Sequence, residues 1–309
     1  RLLRELRRRE LPVRYAAVTQ LDARRVFGVA ADAVLFEVDA GPDGDPIRSV
    51  AVHGRLGGDV DETWHVATDI VAADAALTSG AGNALDWRQG IKHDAAAIFE
   101  LRMQNGVLRN GLGERVEVES DAVFPLVRAR DLARGSAHDG TSYLLVPYRS
   151  LREAEGELRE RAPLLHAYLE RHAGTLAARR SSIYRNAARF ALFGVGPYAF
   201  APHKVAVSGL HREPRFVVLS GERPVQLSDT AYAAGFEDAR DAHALAALLN
   251  VEPVRAALRS AIFPGKRPVT KRLLARLDLR ALLDRDGVAD ALGEAAARRV
   301  RELLGNGPG

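Results

Sequence analysis

Apolar residues recur along this chain with several spacings, and each spacing predicts an element. RLLRELRRREL sets Leu2, Leu3 and Leu6 against Arg7, Arg8 and Arg9, an amphipathic helix stopped by Pro12. A strand is expected from about Tyr15 to Leu21. The apolar run Ala31 to Val38, between Gly28 and the turn Gly41-Pro42-Asp43-Gly44, reads as a buried strand, and Arg48 to Arg55 as one more. Helix, strand, turn, strand is the order of the last part of an α/β sheet whose first part is missing.

Asp59, Asp61, Glu62, Asp69 and Asp74 then appear with no Lys or Arg among them, ending near Thr78-Ser79-Gly80, so a domain boundary or a solvated helix face is expected here. IFELRM and ERVEVE flank Asn105-Gly106 and Asn110-Gly111-Leu112-Gly113 between Ala97 and Glu119, the signature of a hairpin. Tyr143 to Tyr148 reads as a strand. Leu158, Leu165, Leu169 and Leu176 predict a helix to Arg179, with Pro163 in its first turn. Strands follow at Lys204 to Leu210, Phe216 to Ser220 and Pro224 to Leu227. After Ala239 three helical patterns take over: DARDAHALAALLN, VEPVRAALRSAIF and DGVADALGEAAARRVRELL.

At 309 residues and 47% hydrophobic content the chain can build a sizeable core in one large or two ordinary domains. No apolar run approaches the roughly 20 residues of a membrane span. Cysteine is absent, which excludes disulfides and cysteine-based zinc or nucleophile chemistry and fits a reducing cytoplasm. The sequence begins with Arg1, and its single methionine is Met103, so a start inside a longer protein is expected.

A formal charge of +4 is too small to name a partner, but the cations cluster. Arg179, Arg180, Arg185, Arg189, Lys204, Arg212 and Arg215 face one acid, Glu213, and alternate with Tyr184, Phe190, Phe193, Tyr198 and Phe200. Guanidinium groups grip phosphates, Ser181 and Ser182 add neutral donors, and rings can stack on bases. The same composition also fits inward rings and merely solvated arginines. Lys266, Arg267, Lys271 and Arg272 form a second cluster, on a loop entering a helix.

Other candidate chemistry is thinner. Ile91-Lys92-His93-Asp94 offers acid/base or metal groups, but neighbours on an extended chain point apart, which favours a buried or DNA-facing turn. Phe193-Gly194-Val195-Gly196 resembles a cofactor loop, yet Pro197 and a strand-like Tyr198-Ala199-Phe200 follow where such a loop opens a helix, so a tight bend is expected. His166 and His172 fall on different helix faces, against a shared metal. There is no HExxH, GxSxG or P-loop motif.

WRQGIKHDAAAIFEL (87 to 101), NGLGERVEVESDAVFPLVRARDL (110 to 132), RRSSIYRNAARFALFGVGPYAFAPHKVAVSGL (179 to 210), LSDTAYAAGF (227 to 236) and KRPVTKRLLARLDL (266 to 279) resemble, in that order, the C-terminal part of adenine-specific DNA methyltransferases of restriction-modification systems. DARRVFGVAADAVLFEV (22 to 38) resembles the closing strands of that family's Rossmann-like catalytic domain. The resemblance implies a mixed α/β and α+β chain: residues 1–75 as the tail of the catalytic domain, residues 76–309 as a mixed α+β target-recognition domain with a helical C-terminus.

It also implies double-stranded DNA as partner, with a catalytic domain and S-adenosylmethionine supplied in the full-length protein, because the family's Asn-Pro-Pro-aromatic motif and methyl-donor loop do not occur here. The chain alone is expected to be inactive. Arg179, Arg180, Arg185 and Lys204 would neutralise phosphates, Ser181, Ser182, Tyr184 and Tyr198 would touch phosphates or base edges, and Lys92, His93, Lys266, Arg267 and Lys271 would wall the groove. Arg128-Ala129-Arg130-Asp131 departs from the Lys-Ser-Ser-Asp-like segment expected there. A non-enzymatic module for single-stranded DNA or RNA is the alternative from another class.

Overall fold

The computed structural model describes residues 9–29, 33–46, 49–56, 68–69, 77, 85–150, 153–185, 187–262 and 267–305. Most of the expected N-terminal helix, most of the acidic boundary and Lys266 lie outside them. Within them the chain forms three sheets.

The first is mixed. β1 (Pro12–Leu21) pairs antiparallel with β2 (Ala33–Ala40) and β3 (Asp45–Pro46), and parallel with β4 (Ser49–Leu56), which meets β5 (Thr68–Asp69) antiparallel. A short helix, Ala23–Phe27, joins β1 to β2; Asp22 caps its start and Gly28, at φ 68°, ends it. The burial expected of the second strand is not found. β2 is an edge strand, and Val34, Leu35 and Val38 stand open to solvent with Phe27, itself 60% exposed.

After β6 (Arg88–Gln89) comes the hairpin of β7 (Glu100–Gln104) and β8 (Val107–Arg109). Asn105 and Gly106 turn it at φ 50° and 77°, the left-handed pair that matches strand twist. The second arm is therefore shorter than expected. Glu114–Glu119 is no strand, because the Asn110 side chain accepts from the Leu112 and Glu114 amides, both at 3.0 Å, and curls the chain. β9 (Val123–Val127) and β10 (Ser142–Leu145) follow, then β11 (His203–Ser208), β12 (Phe216–Ser220), β13 (Gln226–Leu227) and β14 (Ala231–Phe236). They assemble as β13-β9-β10-β7-β8 and β12-β11-β14-β6.

The helix expected from Leu158 to Arg179 is three pieces, Glu155–Arg161, Pro163–Arg171 and Ala173–Ala177. Pro163 has no amide to donate and pushes Ala162 out of the helical region, so the helix stops and restarts with proline first. Glu119 caps the restart, accepting from the amides of Leu164 (2.8 Å) and Leu165 (2.9 Å). Leu158, Leu165, Leu169 and Leu176 close a core with Ile98, Phe99, Leu101 and Leu144 on the five-stranded sheet.

Alternation along β11 and β14 divides the rest. Val205, Val207, Tyr232 and Ala234 face the C-terminal helices, led by Ala239–Asn250 and Glu294–Gly305, while Ala206, Ala231 and Ala233 face Val127 and Leu227 of the other sheet and Leu132 of the short helix Ala129–Ala133. The long C-terminal helical pattern breaks at Gly293, φ 83°, into Val288–Leu292 and Glu294–Gly305. No helix among the described residues is long and apolar enough to cross a membrane.

Candidate nucleic-acid interface

The two C-terminal sheets meet where three segments cross. Leaving β6, Gly90 donates its amide to Ala231 (3.0 Å) and Ile91 to Leu227 (2.7 Å), and Lys92 exchanges both backbone hydrogen bonds with Phe193 (2.9 Å each). So close a crossing admits only glycine. A Cβ on Gly90 would collide with the Ser228 and Leu227 carbonyls, and one on Gly194, already at φ 84°, would lie 2.8 Å from the Gly90 oxygen. Phe193-Gly194-Val195-Gly196 is thus a bend, followed by a single 3-10 turn, Pro197–Phe200. It opens no α-helix. Gly90→Ala is expected to cost about 2 kcal/mol through forced backbone movement, read as a lower urea midpoint.

Arg179 fastens this crossing. Its Nε donates to Leu176 O (2.9 Å), Nη1 to Ala191 O (2.8 Å) and His93 O (3.3 Å), and Nη2 to Arg189 O (3.1 Å). Its guanidinium carbon sits 3.9 Å from the centre of the Tyr184 ring. With four of its five N–H groups given to carbonyls, Arg179 braces the crossing and does not stand out as the freely exposed cation expected of a phosphate contact. Tyr184 is also turned inward: its hydroxyl donates to Lys92 O (3.2 Å), its ring meets Phe193 edge-on, and burial together with the Asp94 charge pushes its pKa up to about 12.

His93 occupies a part-buried turn, its Nδ1 accepting from the Ala95 amide and its Nε2 lying 3.2 Å from Glu100 Oε1. Glu100 also pairs with Arg128, which donates to Ser142 Oγ (3.2 Å), so the unexpected arginine at 128 anchors a polar chain beneath the crossing. This turn is a structural element rather than a groove wall. Lys92, by contrast, is half-exposed and pairs with Asp94 at 3.4 Å.

Lys204 is 4% exposed and donates to the carbonyls of Ala201 (3.0 Å) and Val225 (2.9 Å). β11 turns it toward the space between the sheets, and burial pulls its pKa down to about 8. The phosphate role expected of it is corrected for the same reason. It lines a small surface recess with Arg88, Gln89, Tyr198 and Gln226. Tyr198 is part-buried, with the Arg88 guanidinium 4.8 Å from its ring centre.

Exposed cations flank the crossing. Arg180 and Arg185 are exposed with no ion-pair partner among the described residues, on either side of Ser181 and Ser182, the latter opening a 3-10 turn. Gln89 donates to the Asp229 carbonyl, Asp229 pairs with Arg267 (3.8 Å), and Lys271 and Arg272 begin the helix Lys271–Leu274, capped by Thr270. Contacts run from Arg179 through Tyr184 to Lys92, and from Gln89 through Asp229 to Arg267. The aromatic half of the expected surface is largely inward, for Phe190 is fully buried, Tyr184 meets Phe193 edge-on and Phe200 meets Phe124.

No family model matches the chain. It is 32% identical over 300 residues to the type II methyltransferase M.NspV of Nostoc sp., a match that takes in 91% of this chain and 60% of that protein. The chain thus spans less than two thirds of that relative. Among solved structures, the type IIL restriction-modification enzyme MmeI in complex with DNA aligns over 96% of this chain and 43% of its own, with 13% identity and a TM-score of 0.40. The type IIG restriction endonuclease BpuSI aligns over 96% and 44%, with 11% identity and the same score. These structural likenesses are too loose to assign an architecture. The chain is thus similar in sequence to a type II methyltransferase, the kind of relative its residues led us to expect.

Proposed function

We propose that this chain holds duplex DNA for a site-specific N6-adenine methyltransferase while one adenine is turned out toward catalytic residues beyond the chain. The observation that carries this reading is the 32% identity to a type II methyltransferase across 91% of the chain. The crossing of the two sheets supplies the place. Arg180, Arg185, Lys271 and Arg272, none with an ion-pair partner among the described residues, grip phosphates. Ser181 and Ser182 add hydroxyl donors, and Lys92 and Arg267 exchange a carboxylate for a phosphate. In this reading S-adenosylmethionine binds outside the chain, and the apolar flank of Phe27, Val34, Leu35 and Val38 is covered by the catalytic unit.

One observation favours a second reading, a single-strand binder: the part-buried Tyr198 ring at the edge of this recess offers a face on which a base stacks. Competition between a duplex and either of its separated strands distinguishes the two. Duplex is expected to win; a preference for single strands would replace the first reading with the second. Methyl transfer by this chain alone would refute the placement of the donor site outside it.

A further inference from the structure

Glu155, His166 and Glu170 cluster where the helices Glu155–Arg161 and Pro163–Arg171 meet, and we propose that together they bind one zinc ion. His166 and Glu170 are one turn apart on the helix Pro163–Arg171 and so share a face. The break at Pro163 brings Glu155, the first residue of the preceding helix, to the same point. His166 Nε2 lies 3.2 Å from Glu155 Oε1 and 3.9 Å from Glu170 Oε1, and all three ligand atoms fall within 4.8 Å of one another. Zinc bonds of about 2.0–2.2 Å require ligands about 3.3 Å apart in a tetrahedron, which small side-chain movements reach.

A cationic group already answers these carboxylates. The Arg189 guanidinium pairs with Glu170 and lies 3.6 Å from Glu155, on a long exposed side chain able to swing away. Phe190, fully buried, meets the His166 ring edge-on and packs it against this face. Three protein ligands leave the fourth tetrahedral position to water. One imidazole with two carboxylates suits zinc; calcium and magnesium favour all-oxygen sets.

Titration calorimetry of the whole chain with zinc chloride, and with magnesium chloride for comparison, tests the site without reference to DNA. One zinc per chain is expected, with no comparable magnesium binding. His166→Ala and Glu170→Gln should each weaken zinc at least about tenfold, since even outer partners of metal ligands are worth that much. Arg189→Ala, which removes the competing cation, should bind zinc at least as tightly as the parent. Glu170→Gln keeps the side-chain shape, so it remains informative should His166→Ala fold poorly. Absence of zinc binding, or undiminished affinity in Glu170→Gln, overturns the proposal.

Discussion

Arg179→Ala is expected to lower stability by about 3 kcal/mol while leaving the number of DNA phosphates contacted unchanged. One guanidinium serves four carbonyls, on Leu176, Ala191, His93 and Arg189, and covers the Tyr184 ring. Hydrogen bonds from a charged donor are worth about 1.5–3 kcal/mol each when lost. The site is only part-buried, so water replaces some of them and the total stays below their sum. Arg179→Lys should recover less than half, because a point ammonium cannot reproduce a planar fork spanning three segments. Urea midpoints measure the stability. Affinity for duplex should drop with it, since segments 92–94 and 189–191 lose their common anchor.

The second large effect concerns acid. Burial by itself would raise the Glu100 carboxyl, but hydrogen bonds from His93 and Arg128 and the Arg128 charge outweigh it and bring the pKa from 4.5 to about 2. A carboxylate whose folded pKa lies below its unfolded one stabilises the fold above the unfolded value. That contribution disappears as pH falls from about 4.5 to about 2. Its size is roughly 3 kcal/mol. Glu100→Gln should therefore cost on the order of 2–3 kcal/mol at neutral pH, where it also leaves the Arg128 cation without its carboxylate. The difference from the parent should shrink steadily below pH 4.5. Because Glu119 and Asp139 are lowered as well, only this difference isolates Glu100. A gap that stays constant down to pH 3 would show that the His93–Glu100–Arg128 chain is not the acid-sensitive element.

What the sequence made legible follows from how local each signal is. Phe216–Ser220 and the Asn105-Gly106 turn were readable because a run of aromatic and β-branched residues and a pair of left-handed turn residues act within a few positions. β14 was not. Ala231–Phe236 is mostly alanine and glycine, a poor strand former, and is a strand only because β11 and β6 pair with it on both sides. The basic cluster was visible as composition, but which cations it leaves free was not. Lys204 and Arg180 look alike in one dimension; the pleat of β11 turns the first inward, and the loop after Ala177 leaves the second outward. The bracing role of Arg179 was hidden for the same reason, since its four carbonyl partners span positions 93 to 191. The zinc cluster escaped a search for paired histidines, although the His166-to-Glu170 spacing of four on one helix is a signal that sequence alone can carry.

Duplex binding measured against salt most directly tests whether the crossing holds DNA. The logarithm of the association constant should fall linearly with the logarithm of salt concentration. Arg185→Ala and Arg180→Ala should each flatten that slope by about 0.9, one phosphate apiece, whereas Arg179→Ala should weaken binding at an unchanged slope. Binding whose slope is indifferent to Arg180 and Arg185, or that Arg179→Ala alone flattens, would place the DNA somewhere else on the molecule.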